Sequence, residues 1–297
     1  MGVSPPLPPG RAAEFEALRP RLLRVAYATL GSRAEAEDVV QEAWLRLERA
    51  GPEEVRDLGA WLTTVVGRLA LDALGSARAR RERYYGEWLP EPVVGAAPDP
   101  ADRVTLDEQV SLAMLRVLES LSPAERTAFV LHDVFGHSFD EVAEAVGRTP
   151  QATRQLASRA RRHVEAGRPR FPATRDEQRE VVSAFMAAAL EGDIDGLLAV
   201  LDPEVMMRAD GGGRVPTVRQ PLHGAARVAQ TLAGFARMQT GHGRVVDVNG
   251  APGLLVETTG GERSVFAFTV DGGRITAIDI VRNPDKLERV PGSGRPA

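Results

Sequence analysis

Apolar residues recur at helical spacing through the first part of the chain. In "FEALRPRLLRVAYATLG", Leu18, Leu22, Val25, Ala26 and Leu30 fall on one face, and Gly31 provides a stop. Ser32 opens a second helix with Glu35 at capping-box spacing, and Val39, Ala43 and Leu47 carry its apolar stripe to Gly51-Pro52. A third run, "LGAWLTTVVGRLALDALGSARARRERYY", is apolar over its first half and basic toward its end. The pattern then breaks: "GEWLPEPVVGAAPDPADR" holds four prolines in eighteen residues and reads as an extended linker.

Helical spacing resumes beyond it. Ser138 caps "SFDEVAEAV" with Glu141 in the reciprocal position, and Gly147 suits the left-handed residue after its end. Thr149 caps the following helix and Pro150 occupies its first turn, where a missing amide costs nothing. Two short helices joined by "GRT" predict a helix-turn-helix. Thr153, Leu156, Ala157, Ala160 and Val164 form the buried stripe of the second, which leaves Gln151, Arg154, Gln155 and Ser158 outward near its start.

From about residue 176 the pattern changes again. Two helices are followed by alternating runs, "RVVDV", "GLLVETT", "SVFAFTV" and "RITAIDIV", with a "DGG" hairpin signal between the last two. The reading is a multidomain chain: two all-α segments and an α+β domain with an antiparallel sheet. Its expected boundaries are a disordered start 1–11, a helical domain 12–87, a linker 88–103, a helix-turn-helix domain 104–170, a linker 171–178, the α+β domain 179–290 and a disordered tail 291–297.

Charge alters this picture only locally. The formal net charge is -4, and Lys286 is the single lysine among 37 basic residues, so arginine count alone says little about nucleic acid. Residues 145–170, however, hold seven arginines against Glu165 alone, a local net charge of +6, which is the footprint expected of a phosphate-binding surface. In a major groove Arg pairs with guanine and Gln with adenine, while Arg159, Arg161 and Arg162 lie further along, suited to phosphates. A helical hairpin with a charged outer face fits the same stretch. Zero cysteines exclude disulfides and thiolate metal sites, and no metal or cofactor is expected. No apolar run approaches the roughly 18 residues of a membrane span, so a cytoplasmic protein is expected.

"LSPAERTAFVLHDVFGHSFDEVAEAVGRTPQATRQLASRARRHV" resembles region 4 of bacterial sigma factors. "AEAEDVVQEAWLRL" followed by "LGAWLTTVVGRLALDAL" resembles region 2, and the two in this order resemble the extracytoplasmic-function (ECF) group. The resemblance implies docking of Asp38, Gln41, Glu42, Trp44 and Leu45 on the β′ clamp helices of core RNA polymerase, with the β flap as a second contact. It also implies recognition and melting of the −10 element by the segment from Trp61 to Tyr85, through Trp61, Arg68, Arg78, Arg80, Arg81 and Arg83. The Tyr84-Tyr85 pair would offer flat surfaces for unstacked bases. The helix from Thr149 would read the −35 element. Trp44 and Trp61, at helical spacing, fit a packing role better than a contact role, because a large aromatic usually serves the core.

The order of elements after residue 176 is similar to the SnoaL-like, or NTF2-like, cone fold, and the whole chain resembles SigJ-like sigma factors with such an extension. That group carries three marked stretches, here Trp88-Leu89-Pro90-Glu91-Pro92, Asp210-Gly211-Gly212-Gly213-Arg214 and Asn283-Pro284-Asp285-Lys286-Leu287. Arg214 replaces the group's lysine; charge is kept, but the planar guanidinium is not an equivalent contact. Each stretch could be a spacer, a turn or a tail cap. Together they suggest that linker and tail engage the cone domain and control polymerase or promoter binding. Two other readings remain: an enzyme using Asp210, His223, Asp247 or Asp279 as base, or a helix-turn-helix regulator sensing an unknown small ligand in the cone pocket. The chain shows no nucleophile-base pairing or metal spacing, so the expectation is a non-enzyme.

Overall fold

The computed structural model describes residues 9–50, 55–81, 84–95, 110–167, 169–238 and 241–291. Contacts gather the chain into two compact units where three segments were expected: Met1–Glu82 with Val117–Ala166, and Arg83–Arg116 with Gly167–Ala297.

The first unit is helical. Helices α1 (Pro9–Leu30), α2 (Arg33–Arg49) and α3 (Leu58–Arg81) precede α4 (Leu112–Glu119), which the division cuts after Arg116, and α5 (Pro123–Phe129). A π turn (Val130–Val134), α6 (Phe139–Val146) and α7 (Pro150–Ala166) follow. The expected stops and caps are present: Gly31 has φ 72°, and the Ser32 side chain accepts from the Glu35 amide. Ser138 and Glu141 form a reciprocal capping box, and Gly147 sits at φ 65°. One core is shared by Leu22, Val25 and Leu30 of α1, Val39 and Leu47 of α2, Leu62 and Val66 of α3, and Val142 and Val146 of α6. The two helical segments therefore bury a single apolar interior. Gly67 lies at a close approach between them, because a Cβ there would stand 2.9 Å from Leu131 and 3.2 Å from Ala145.

Helix α3 ends at Arg81, four residues short of the expected Tyr85. Tyr84 and Tyr85 thus leave the basic helix and belong to the second unit. The "WLPEP" stretch is not a free spacer, since its apolar residues find a surface to cover. Leu89 is 1% exposed, and Val94–Gly95 (β1) pairs with the sheet, helped by Asn249, whose side chain accepts from the Val93 amide at 3.0 Å.

The second unit wraps a seven-stranded sheet, order β1-β4-β5-β6-β7-β2-β3, around helices α8 (Arg175–Glu191), α9 (Ile194–Val200) and α10 (Ala225–Met238). Its remaining strands are β2 (Leu201–Asp210), β3 (Leu222–His223), β4 (Gly241–Val248), β5 (Ala251–Thr258), β6 (Arg263–Asp271) and β7 (Arg274–Val281). Helix α11 (Pro284–Leu287) follows the last strand. The sheet is not wholly antiparallel as expected: β2 runs parallel to β7, because it enters before α10 and a hairpin series then returns to its side. The α+β class stands. Alternation along the strands separates two apolar layers, Met207, Leu254 and Ile278 toward the helices and Val246, Leu255, Val265 and Val281 toward Leu89, Leu287 and Val290. The expected 171–178 linker is pinned as well: the Arg170 and Phe171 amides donate to Asp271 at 2.9 and 2.7 Å, and α8 already starts at Arg175.

Candidate functional site

On α7 the buried stripe is Thr153, Ala157, Ala160 and Val164, with Leu156 packed against the core. Gln151, Arg154, Gln155, Ser158, Arg159 and Arg162 are exposed on the opposite side, and Arg161 is half-buried. The Thr149 hydroxyl accepts from the Ala152 amide at 3.2 Å and fixes the start of the helix. The basic residues are not equivalent. Arg154 lies 5.2 Å from the Phe139 ring centroid, Arg159 pairs with Glu125 at 2.7 Å, and Arg161 pairs with Asp133. Exposed pairs of this kind contribute at most about 1 kcal/mol, so a phosphate can displace the carboxylate of the Arg159 pair.

On α2, Asp38, Gln41, Glu42 and Leu45 share a face by their i, i+3, i+4, i+7 spacing. Asp38 and Gln41 are exposed, and Glu42 pairs with Arg46 at 3.1 Å. Trp44 is half-buried and packs on the core, its ring 4.8 Å from that of Phe15.

The expected −10 residues scatter. Trp61 packs on the core, although it shares an opening beside α3 with Arg68, Glu141 and Glu144. Arg68 is exposed and donates to the Glu144 carbonyl at 2.9 Å, near the end of α6. Arg81 is committed to structure: it pairs with Glu119, donates to the Leu30 carbonyl at 2.6 Å and lies 3.8 Å from Glu35. Glu119 also receives the fully buried Arg126. The side chains of Arg78 and Arg80, and residue Arg83, lie outside the described residues.

The three marked stretches meet around one carboxylate. Asp210, at the end of β2, is 0% exposed. It accepts from the Tyr84 hydroxyl at 2.7 Å, the Leu89 amide at 2.9 Å, the Gly212 amide at 3.0 Å and Lys286 Nζ at 2.7 Å. Lys286 also donates to the Leu89 carbonyl and stands 4.1 Å from the Trp88 ring centroid, a cation-π contact. Asn283 donates to the Tyr84 hydroxyl at 2.8 Å, and its oxygen caps α11 through the Asp285 amide at 3.1 Å. Pro284 fits the first turn of that helix, and Leu287 anchors its far side in the apolar layer under Leu89. Pro90, Glu91 and Pro92 are buried beside them. Burial, then the hydrogen bond to Asp210, raises the Tyr84 phenol well above its ordinary value, so it stays a donor.

The glycines permit this convergence. A Cβ at Gly211 would stand 2.4 Å from the Val215 carbonyl, and at Gly212, with φ +63°, 2.5 Å from the Asn283 side chain. Gly213 lies against Tyr85. Arg214 reaches Asp285 at 3.1 Å, but both side chains are more than half exposed, so this pair contributes little. Tyr84 is the participant expected instead at the −10 element; its place four residues before Trp88 is the signal the sequence offers.

The carboxylates considered as catalytic bases do not gather. Asp210 belongs to this node, Asp247 pairs with Arg175, and Asp279 lies between Arg208 at 3.4 Å and Arg116 at 3.5 Å. Burial raises the Asp279 carboxyl above its ordinary value, opposed by both arginines. His223 is exposed on β3. None of the four lines the cavity of the α+β unit. Among the described residues, no group of acidic or histidine side chains is placed to hold a metal, and no helix is long and apolar enough to cross a membrane.

Comparison with known proteins agrees with the two helical motifs. Residues 15–80 match the sigma-70 region 2 family and residues 111–164 the sigma-70 region 4 family. The chain is 42% identical over 294 residues to the ECF RNA polymerase sigma factor SigJ of Mycobacterium tuberculosis, covering 94% of each. It is 38% identical to the probable ECF sigma factor SigI of the same organism, covering 93% of this chain and 94% of that one. The crystal structure of M. tuberculosis SigJ superposes with a TM-score of 0.75 at 38% identity, covering 93% of this chain and 98% of that one. With regions 2 and 4 in order and an α+β domain after them, the chain belongs to the ECF sigma factors, the alternative promoter-specificity subunits of RNA polymerase, in their SigJ-like group.

Proposed function

We propose that the chain directs core RNA polymerase to promoters through its helical segments, and that its SnoaL-like domain regulates this activity in cis without catalysing a reaction. In this reading α7 enters the major groove of the −35 element with Gln151, Arg154, Gln155 and Ser158 toward base edges and Arg159, Arg161 and Arg162 toward phosphates. The outer face of α2, with Asp38, Gln41, Glu42 and Leu45, docks on the β′ clamp helices, and region 4 meets the β flap. Helix α3 supplies the −10 contacts, with Arg68 as its exposed cation and Arg78 and Arg80 further along. Arg81 and Trp61 hold the fold from which those contacts are presented.

The observation that carries regulation in cis is the Asp210 node. It binds the segment that follows the −10 helix in sequence, Tyr84 to Pro92, into the α+β domain through a buried carboxylate and the chain's single lysine. Whatever loosens that node frees the chain directly after α3. The domain also encloses a cavity suited to a small ligand.

Run-off transcription with purified core polymerase tests both parts. Full-length protein is compared with a chain ending near Phe171 and with one lacking only the tail from Asn283. Initiation by full-length protein, altered in strength by each truncation, is expected. Absence of core binding by every form rules out the promoter-directing reading, and identical activities of all three rule out regulation in cis.

A further inference from the structure

The cavity of the α+β unit has a volume of about 140 Å³. Strand alternation builds it: Leu254 and Val256 of β5, Phe266 of β6 and Met207 of β2 point at Phe185 of α8 and Leu232 of α10. Its volume is close to the roughly 150 Å³ of an apolar cavity that binds benzene. Two exposed large apolar residues, Leu190 (52%) and Phe235 (37%), also line it, so apolar side chains stand in water where the cavity opens. The polar part of the wall is small and consists of Thr217, Thr258, Ser264 and Arg282. Arg282 donates to the Pro216 carbonyl at 2.8 Å and to the exposed Glu262 at 2.9 Å, a carboxylate that a ligand's own acceptor can replace.

The cavity and the Asp210 node share their framework. Ala209 and Arg282 line the cavity, and the residues that follow them, Asp210 and Asn283, build the node. The Asp210 carbonyl accepts from the Arg282 amide at 2.7 Å and from the Asn283 amide at 2.9 Å. Thr217, another lining residue, packs beside Gly211. A molecule that holds these strand ends in place therefore also holds the acceptor of Tyr84 and Leu89.

We propose that this cavity binds a small apolar molecule bearing one hydrogen-bond-accepting head, of the benzoate type, and that its occupancy strengthens the docking of residues 84–95. The regulatory meaning of that second step rests on the reading of this segment as a control element acting in cis. A ligand bound only by the formed cavity stabilises the arrangement that forms it, and the linkage is reciprocal.

The test uses full-length protein with two probes, 4-fluorobenzoate and fluorobenzene, observed by fluorine NMR. Hydrogen exchange of peptides covering 84–95 is measured with and without saturating 4-fluorobenzoate. Gly243→Leu is the blocking variant: Gly243 lines the cavity, and a Cβ there meets only ordinary contacts, the nearest being Met186 Sδ at 3.5 Å. Both probes should bind the parent protein, and neither should bind G243L with its circular dichroism unchanged. Arg282→Met should erase the preference for the carboxylate, about tenfold, as expected for one charge-assisted hydrogen bond. Exchange in 84–95 should slow about fivefold, the low end of ordinary coupling between sites. No binding, or binding undiminished in G243L, overturns the site; binding with unchanged exchange overturns the coupling. Neither result bears on run-off transcription by the unliganded protein, which tests regulation in cis separately.

Discussion

Replacing Lys286 by Met removes the cation from a carboxylate that is 0% exposed, while the thioether chain keeps most of the stem that lies beside Trp88. Asp210 retains donors from Tyr84, Leu89 and Gly212, so the cost should fall at or just below the low end of the range for a broken buried pair, about 2–3 kcal/mol. Asp210→Asn has the opposite defect. It keeps the shape but removes the Asp210 charge from beside Lys286, whose side chain is 11% exposed, and turns an amide NH₂ toward groups that are themselves donors. About 3–4 kcal/mol is expected. In the double variant neither charge is stranded, so the combined cost should be smaller than the sum by about 2 kcal/mol, a factor of about thirty in the opening equilibrium. Hydrogen exchange of β2, β7 and 84–95 amides in the four proteins measures this directly, because it reports local opening in one part of a chain that has two units. Strict additivity would refute the node as one electrostatic unit, and unchanged exchange of 84–95 in K286M would refute its role in holding that segment.

Four further outcomes follow from the geometry. Gly212→Ala, at φ +63° and against Asn283, should cost at least the roughly 1–2 kcal/mol of a left-handed residue and accelerate exchange of 84–95 and α11 together. Glu119→Gln takes the counter-charge from the buried Arg126 and one of two carboxylates from Arg81, and should destabilise the helical unit by about 3 kcal/mol, read as a lowered melting temperature. Burial, then the nearby Arg21, holds His137 below its ordinary pKa, while Glu141 opposes them. A depressed imidazole contributes stability above its unfolded value that is lost on acidification, so urea resistance of the helical unit should fall as pH drops below about 6.5, and His137→Gln should flatten that slope. Arg162→Ala should weaken binding of holoenzyme to all promoters alike and lower the salt slope by about one, whereas Gln155→Ala should cost about 1–3 kcal/mol at selected promoter sequences only.

The local elements of this protein were legible in its sequence because their causes are local. Ser138 with Glu141, Gly147, Thr149 and Pro150 place the helix-turn-helix through bonds spanning at most four residues, and the apolar stripe of α7 sets its outward face without reference to the rest of the chain. Family motifs added the order of regions and the three marked stretches. What only tertiary structure decided is the use of residues whose partners lie far away in sequence. Arg81 looked like its neighbours on a basic helix end until Glu119 and the Leu30 carbonyl claimed it, and Tyr84 looked like a base-stacking platform until α3 stopped at Arg81. Likewise "WLPEP" reads as a spacer by its prolines; Leu89 and Trp88 dock because an apolar layer and a lysine nearly two hundred residues on lie within reach. Periodicity records which face of an element is apolar, and a buried charge is settled only by the partner that folding brings to it.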